Sequence, residues 1–241
     1  YHVVSDFPRI SAQCKTSGKS LYFHVTDKIA FIRWVDPFHL ITCVEKPSGD
    51  DINHVLFYYQ LNPARLLAIY DFATPIRDLI TLPLLNKRQD QQIVQRTTQQ
   101  PPQQQSAAKQ KNYEQFVFIT PTSLNVFNPI EVPKVITPYP TTIPLPLSPI
   151  CLSAHPKLPF LFVGCIDGTV VVINHSMQIL SLIKTHNAPI IKAIPSTDVP
   201  HAFVCCARGP SMIKIQSLLT GQSLNTLPLH IFMTDLSWAG D

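Results

Sequence analysis

The segment Cys151–Asn174, CLSAHPKLPFLFVGCIDGTVVVIN, constrains the fold more than any other part of the chain. Two apolar, β-branched runs flank Asp167-Gly168. Gly supplies the positive φ that a tight turn needs, and Asp can fold its carboxylate onto nearby backbone N–H groups, so the segment predicts two strands and a turn. A partial copy follows in His201–Ser217, HAFVCCARGPSMIKIQS, where a small-residue strand again meets a Gly turn and a second alternating strand. Cys165 and Cys205 occupy matching positions forty residues apart. A unit of that length built from short strands cannot bury both of its faces alone, so successive copies must stack on one another.

Composition narrows the class. In 241 residues, a hydrophobic fraction of 45% and a mean hydropathy of +0.12 fit a globular chain that buries most of its strands. Charged residues make up only 14%, which leaves a surface of Ser, Thr, Gln and Asn, or one partly covered by a partner. The formal charge of +4 is spread thinly, with Lys87-Arg88 and Lys109/Lys111 its nearest approach to clusters. Direct nucleic-acid contact is therefore not expected. The absence of an eighteen-residue apolar run and of a signal-peptide pattern in YHVVSDFPRI predicts no transmembrane segment and an intracellular location, cytoplasmic in preference to nuclear. The six cysteines show no C-x-x-C pair, which points to reduced thiols. Beginning at Tyr1 and ending at Asp241 in a strand and turn, the sequence reads as a piece of a longer protein.

Short apolar runs bounded by Pro, Gly, Asn and Asp recur, helical periodicity is weak, and 23 prolines leave little room for long helices. Strands are expected at Leu21–Val25, Ile29–Val35, Leu40–Val44, Val55–Gln60 and Leu66–Phe72, with a polar loop over Lys46–Asn53. A second unit comprises Ile76–Leu82, Glu114–Thr120, Leu124–Phe127 and an irregular outer strand near Lys134–Thr137, followed by an extended Pro-dense connection to Pro149. Its interior is interrupted by residues 86–112, a Gln-rich stretch that buries too little apolar surface to offset its ordering entropy, so a disordered insertion is predicted there. A third unit holds Ile150–Ser153, Phe160–Cys165, Thr169–Asn174 and Gln178–Lys184. The fourth holds Ile190–Ile194, Ala202–Cys206, Met212–Gln216 and Ser223–Leu227, and Phe232–Trp238 opens another. The expected fold is all-β, a β-propeller of about four to six blades with incomplete units at both ends. Its blades divide into 1–85 and 113–241 around the insertion.

Ala154-His155-Pro156, Phe162-Val163-Gly164-Cys165, Asp167-Gly168-Thr169-Val170-Val171-Val172 and Thr185-His186-Asn187-Ala188-Pro189-Ile190 occur in an order that resembles WD-repeat propellers. The resemblance is clearest over 151–194 and fair over 18–72, where TSGKSLYFHVTDKIAFIRW looks like the last strand of one repeat running into the first of the next. The Trp-Asp dipeptide that names the family is replaced by Ile173-Asn174. The family's His to Asp network is incomplete, since His186 is followed in the next unit by Gly209-Pro210 where Asp is expected. These are degenerate repeats.

Candidate chemistry is sparse. Cys43, Cys165 and Cys205 fall on the second strand of their units, where small residues let neighbouring sheets approach, and Cys205-Cys206 point to opposite faces, so a packing role is expected rather than a metal site. The nine histidines form no H-E-x-x-H pattern, and Thr16-Ser17-Gly18-Lys19-Ser20 lacks the earlier glycine of a phosphate-binding loop, with Gln13 in that place. No cofactor and no metal are predicted. Asp167, Gly168 and His186 are assigned to structural turns, and Asp50, Asp51 and Arg208 to possible partner contacts.

The function these features imply is non-enzymatic: a WD-repeat module presenting rim loops at Lys46–Asn53, Asn187-Ala188-Pro189 and Arg208-Gly209-Pro210 to other proteins of a multisubunit assembly. The His-Pro-x-x-Pro start resembles repeats in vesicle-coat and ciliary scaffolds. The alternatives are a subunit of a ribonucleoprotein or RNA-processing assembly, and an enzyme with its site in the central channel.

Overall fold

A computed structural model describes residues 2–6, 9–13, 20–24, 27–36, 38–49, 51–61, 63–83, 114–130, 134–156, 158–196, 199 and 201–232. All regular structure among them is β, and among these described residues no helix is long and apolar enough to cross a membrane. The predicted insertion at 86–112, Asp50 and the expected strand residues 233–238 lie outside the described residues.

Among the described residues, twenty strands form five sheets. The first joins β1 (His2–Asp6), β2 (Arg9–Gln13) and β3 (Ser20–His24) in antiparallel register. Four further sheets follow as blades. The 28–72 blade holds β4 (Lys28–Asp36), β5 (His39–Ser48), β6 (Asp51–Leu61) and β7 (Ala64–Phe72). In the 78–144 blade, β8 (Asp78–Pro83), β9 (Glu114–Ile119) and β10 (Ser123–Phe127) are closed by β12 (Thr141–Pro144), while β11 (Val135–Ile136) leaves for the neighbouring sheet. The 149–184 blade is β13 (Pro149–Ala154), β14 (Phe160–Cys165), β15 (Thr169–Asn174) and β16 (Ile179–Lys184). The 190–232 blade is β17 (Ile190–Pro195), β18 (Ala202–Ala207), β19 (Pro210–Ser217) and β20 (Ser223–Phe232).

Substantial packing between neighbouring blades always involves a first strand: β4 meets β8, β8 and β9 meet β13, and β13 to β15 meet β17. First strands thus line the inner side, and each blade's second and third strands back onto the next. Burial follows that arrangement, with β14 and β18 buried along almost their whole length and β16 largely exposed. Blades meet through apolar clusters. Between the 28–72 and 78–144 blades, Phe116 and Phe127 pack edge-on against Tyr70 at 6.2 and 5.0 Å, and Phe72 meets Phe118 at 4.9 Å. Such ring pairs contribute about 0.5–1.5 kcal/mol each beyond area burial. Between the last two blades the approach is closer: a Cβ placed on Gly164 would lie 2.5 Å from Cys151 Sγ and 2.6 Å from Ile190 Cγ2. Glycine is required there by space.

Four expectations are corrected. The polar loop over Lys46–Asn53 is a tight hairpin: Ser48 pairs with Asp51, and Gly49 takes φ +65°, which lets β5 and β6 run to the tip. The outer strand of the 78–144 blade is Thr141–Pro144, not the stretch near Lys134–Thr137. Val135–Ile136 instead pair in parallel with Ile69–Tyr70, adding a fifth strand to the preceding blade, and the Tyr70 hydroxyl fixes the approach by bonding both the N–H and the carbonyl of Ile130 at 2.9 Å. Phe232 ends the outer strand β20, opposite Pro210, because β20 continues through Pro228 rather than stopping at Leu227. Finally, β1 and β2 form in a stretch ahead of Leu21, where the sequence pattern predicts no strand.

Candidate functional site

The turn after β14 anchors the most organised polar region. Gly168 takes φ +91°, a conformation an L side chain rarely adopts, and a Cβ there would lie 2.1 Å from the His186 carbonyl oxygen. That space is used: the Gly168 carbonyl accepts from the N–H of Thr185 and of His186, each at 3.0 Å, and from the Thr185 hydroxyl at 3.1 Å. Asp167 holds the other side of the turn, accepting from the Thr169 N–H at 3.0 Å and the Thr169 hydroxyl at 2.7 Å, with the Lys184 ammonium 3.5 Å from Oδ2. Burial acts to raise the Asp167 pKa, but the Thr169 bonds and Lys184 outweigh it and hold the carboxyl below its ordinary range.

The segment so pinned, Thr185 to Pro189, leads into β17 and forms one wall of a cleft against the next blade. Arg208, after β18, fixes the opposite wall by donating its backbone N–H to the Pro189 carbonyl at 2.8 Å. His186 spans the gap: Nε2 donates to the Met212 carbonyl at 3.1 Å, and Nδ1 lies 3.0 Å from the Thr185 hydroxyl. A main-chain carbonyl thus stands where the WD-repeat resemblance implies an Asp. Burial pushes the His186 pKa down; the Met212 bond works the other way, and Lys214 adds to the lowering. Lys214 donates to the Thr185 carbonyl at 2.6 Å.

The resulting cleft of about 250 Å³ is lined by Thr185, His186, Asn187, Ala188, Ala207, Arg208, Met212 and Lys214. Sequence reasoning singled out the 187–189 and 208–210 loops, Arg208 and His186 separately; the structure brings them together. It missed Lys214 and Met212, which sit inside an alternating strand and carry no local signal. Asp51 lies in β6 at the hairpin tip, in a different blade from the cleft.

Cys43, Cys165 and Cys205 all occupy second strands and are buried. Burial pushes the thiols of Cys165 and Cys205 up to about 12 and raises that of Cys43 further. Among the described residues no cluster of three or more His, Cys, Asp or Glu is placed to hold a metal ion.

No protein-family model matches the sequence, and no curated protein does. Solved structures do. The WD40 domain of Toxoplasma gondii coronin superposes with a TM-score of 0.56 over 79% of this chain, at 14% sequence identity. The fold is that of a WD40-like propeller. This chain spans 43% of the length of that matched domain, so its blades correspond to part of the coronin propeller. At such low identity the likeness is one of architecture alone, and this chain has Ile173-Asn174 rather than a Trp-Asp dipeptide and a carbonyl partner for His186.

Proposed function

We propose that this propeller is a non-enzymatic interaction module, holding its rim loops and inter-blade clefts rigidly for protein partners within a larger intracellular assembly. The observation that carries the reading is the fixed geometry of the cleft between the last two blades. Its walls are set by backbone bonds from Thr185, His186 and Arg208, while the Arg208 side chain stands exposed at its edge. A preorganised surface of this kind loses little freedom on binding, which is how a rigid scaffold gains affinity. An assembly of the vesicle-coat or ciliary type is the specific setting we propose, on the resemblance of the His155-Pro156 repeat, in the cytoplasm, where the free buried thiols would stay reduced.

Crosslinking and mass spectrometry of the native complex test the reading, because they report partner and contacting loop together. Crosslinks from Lys184, Lys192 or Lys214 to other proteins are expected. Turnover of a metabolite by the purified full-length protein would overturn it.

A further inference from the structure

The cleft between the 149–184 and 190–232 blades has a charge pattern that the fold does not itself require. Arg208 and Lys214 both line it, and no Asp or Glu does. Among the described residues neither cation has a carboxylate partner. Lys214 is partly buried and its ammonium donates to the Thr185 carbonyl. Taking an ammonium partly out of water without a counter-charge is unfavourable, so the site gains from any anion that enters. On the outer strand of the 149–184 blade, by contrast, Lys184 lies 3.5 Å from the Asp167 carboxylate. Beside the polar Thr185, His186 and Asn187, the cleft has an apolar strip formed by Ala188, Ala207 and the exposed Met212.

Resting on the interaction-module reading, we infer that this cleft receives an acidic side chain of a partner protein, a glutamate in preference to an aspartate. The glutamate methylenes would lie along Met212 and Ala188, and its carboxylate would meet the Arg208 fork and the Lys214 ammonium. Arginine suits this role because its planar N–H pair matches a carboxylate. A compact phosphate or a nucleic-acid backbone would satisfy the charges but leave the apolar strip unused.

The test titrates the full chain with acetyl-Gly-Ser-Glu-Glu-Leu-Gly-Ser amide and with its double Gln counterpart, following the Met212 methyl and Arg208 amide resonances. The Glu peptide should shift both, the Gln peptide neither, and raising salt from low to physiological ionic strength should weaken the response. Arg208→Glu should weaken binding about tenfold or more, since it opposes like charges. Its side chain is exposed and its N–H bond to Pro189 survives the change, so the fold is retained. As a second variant, Met212→Ser should weaken the Glu peptide severalfold without altering inorganic phosphate binding. Equal response to the Gln peptide, indifference to Arg208→Glu, or tighter binding of phosphate or of a single-stranded RNA oligonucleotide would overturn the inference. If Arg208→Glu leaves the crosslinked partners unchanged, the acidic-site inference fails while the module reading stands; if the wild-type protein yields no partner crosslinks, the module reading itself fails.

Discussion

The carboxylate of Asp78 accepts a hydrogen bond from the backbone N–H of Leu152 at 2.9 Å, joining the first strands of two successive blades. Its other oxygen accepts from Arg33 at 2.8 and 3.2 Å and from its own neighbour Leu79 at 2.9 Å, so one buried side chain ties three blades together on their inner side. Replacing it leaves a guanidinium and two main-chain donors, Leu79 and Leu152, without this acceptor. Asp78→Ala should lower stability by about 2–4 kcal/mol. Urea denaturation followed by tryptophan fluorescence measures this; a loss below about 0.5 kcal/mol would show that the blades are held by their apolar clusters alone.

Much of this architecture was legible from local chemistry. Asp167-Gly168 predicts its turn because the positive φ and the carboxylate cap are both local requirements, and the small residues at Gly164 and Cys165 announce close packing before any partner strand is known. Asp78 carries no such signal. Its partners lie 45 and 74 positions away, and only tertiary packing selects them. The same holds for Val135–Ile136, which read as an outer strand of their own unit: nothing in a Pro-flanked dipeptide says that the edge of β7 is nearer than that of β10. The cleft was half legible. Loop residues such as Arg208 stand out, whereas Lys214 looks like any polar residue of an alternating strand.

Gly168 should tolerate no side chain. Both the φ of +91° and the 2.1 Å approach to the His186 carbonyl oppose a Cβ, and relief would require moving the 185–189 segment. Gly168→Val should cost about 2 kcal/mol or more and broaden the amide signals of Asn187 and Arg208. Unchanged thermal melting of the variant would contradict the turn assignment.

Four thiols should be chemically silent in the folded protein. Burial pushes Cys151, Cys165 and Cys205 up to about 12 and raises Cys43 as well, so the reactive thiolate is scarce at neutral pH. Iodoacetamide labelling read by peptide mass spectrometry at pH 7.5 should leave these four unmodified over an hour and modify all of them in guanidinium chloride. Rapid native-state labelling of Cys165 or Cys205 would mean that the second strands open readily.

The Tyr70 hydroxyl is the clasp that holds Ile130, close in sequence to the Val135–Ile136 strand, against the neighbouring blade. Tyr70→Phe keeps the ring edge-on against Phe127 and removes both bonds to Ile130. A loss of about 1–2 kcal/mol is expected, together with faster hydrogen exchange at Val135 and Ile136 than elsewhere in the sheet. If exchange there does not change, the parallel pairing of Val135–Ile136 with Ile69–Tyr70 holds the segment without the hydroxyl.

Acid should weaken the propeller through its buried imidazoles once the pH falls below the ordinary histidine range. Burial lowers the pKa values of His54, His175 and His186 below 6.5; the Ile76 bond and Glu45 partly oppose this at His54, and the Met212 bond does so at His186. Above pH 6.5 these imidazoles are neutral in folded and unfolded chains alike, and stability is full. As the pH falls below 6.5 the unfolded chain takes up protons that the folded one refuses, so stability declines until the folded-state values are reached. The Asp167 carboxyl, held below 3.8, adds its own loss only at lower pH. Urea midpoints should therefore drop between pH 7 and 5, and His186→Gln, whose amide can still donate to the Met212 carbonyl, should flatten part of that slope. A midpoint constant from pH 7 to 5 would mean that all three rings protonate as freely folded as unfolded.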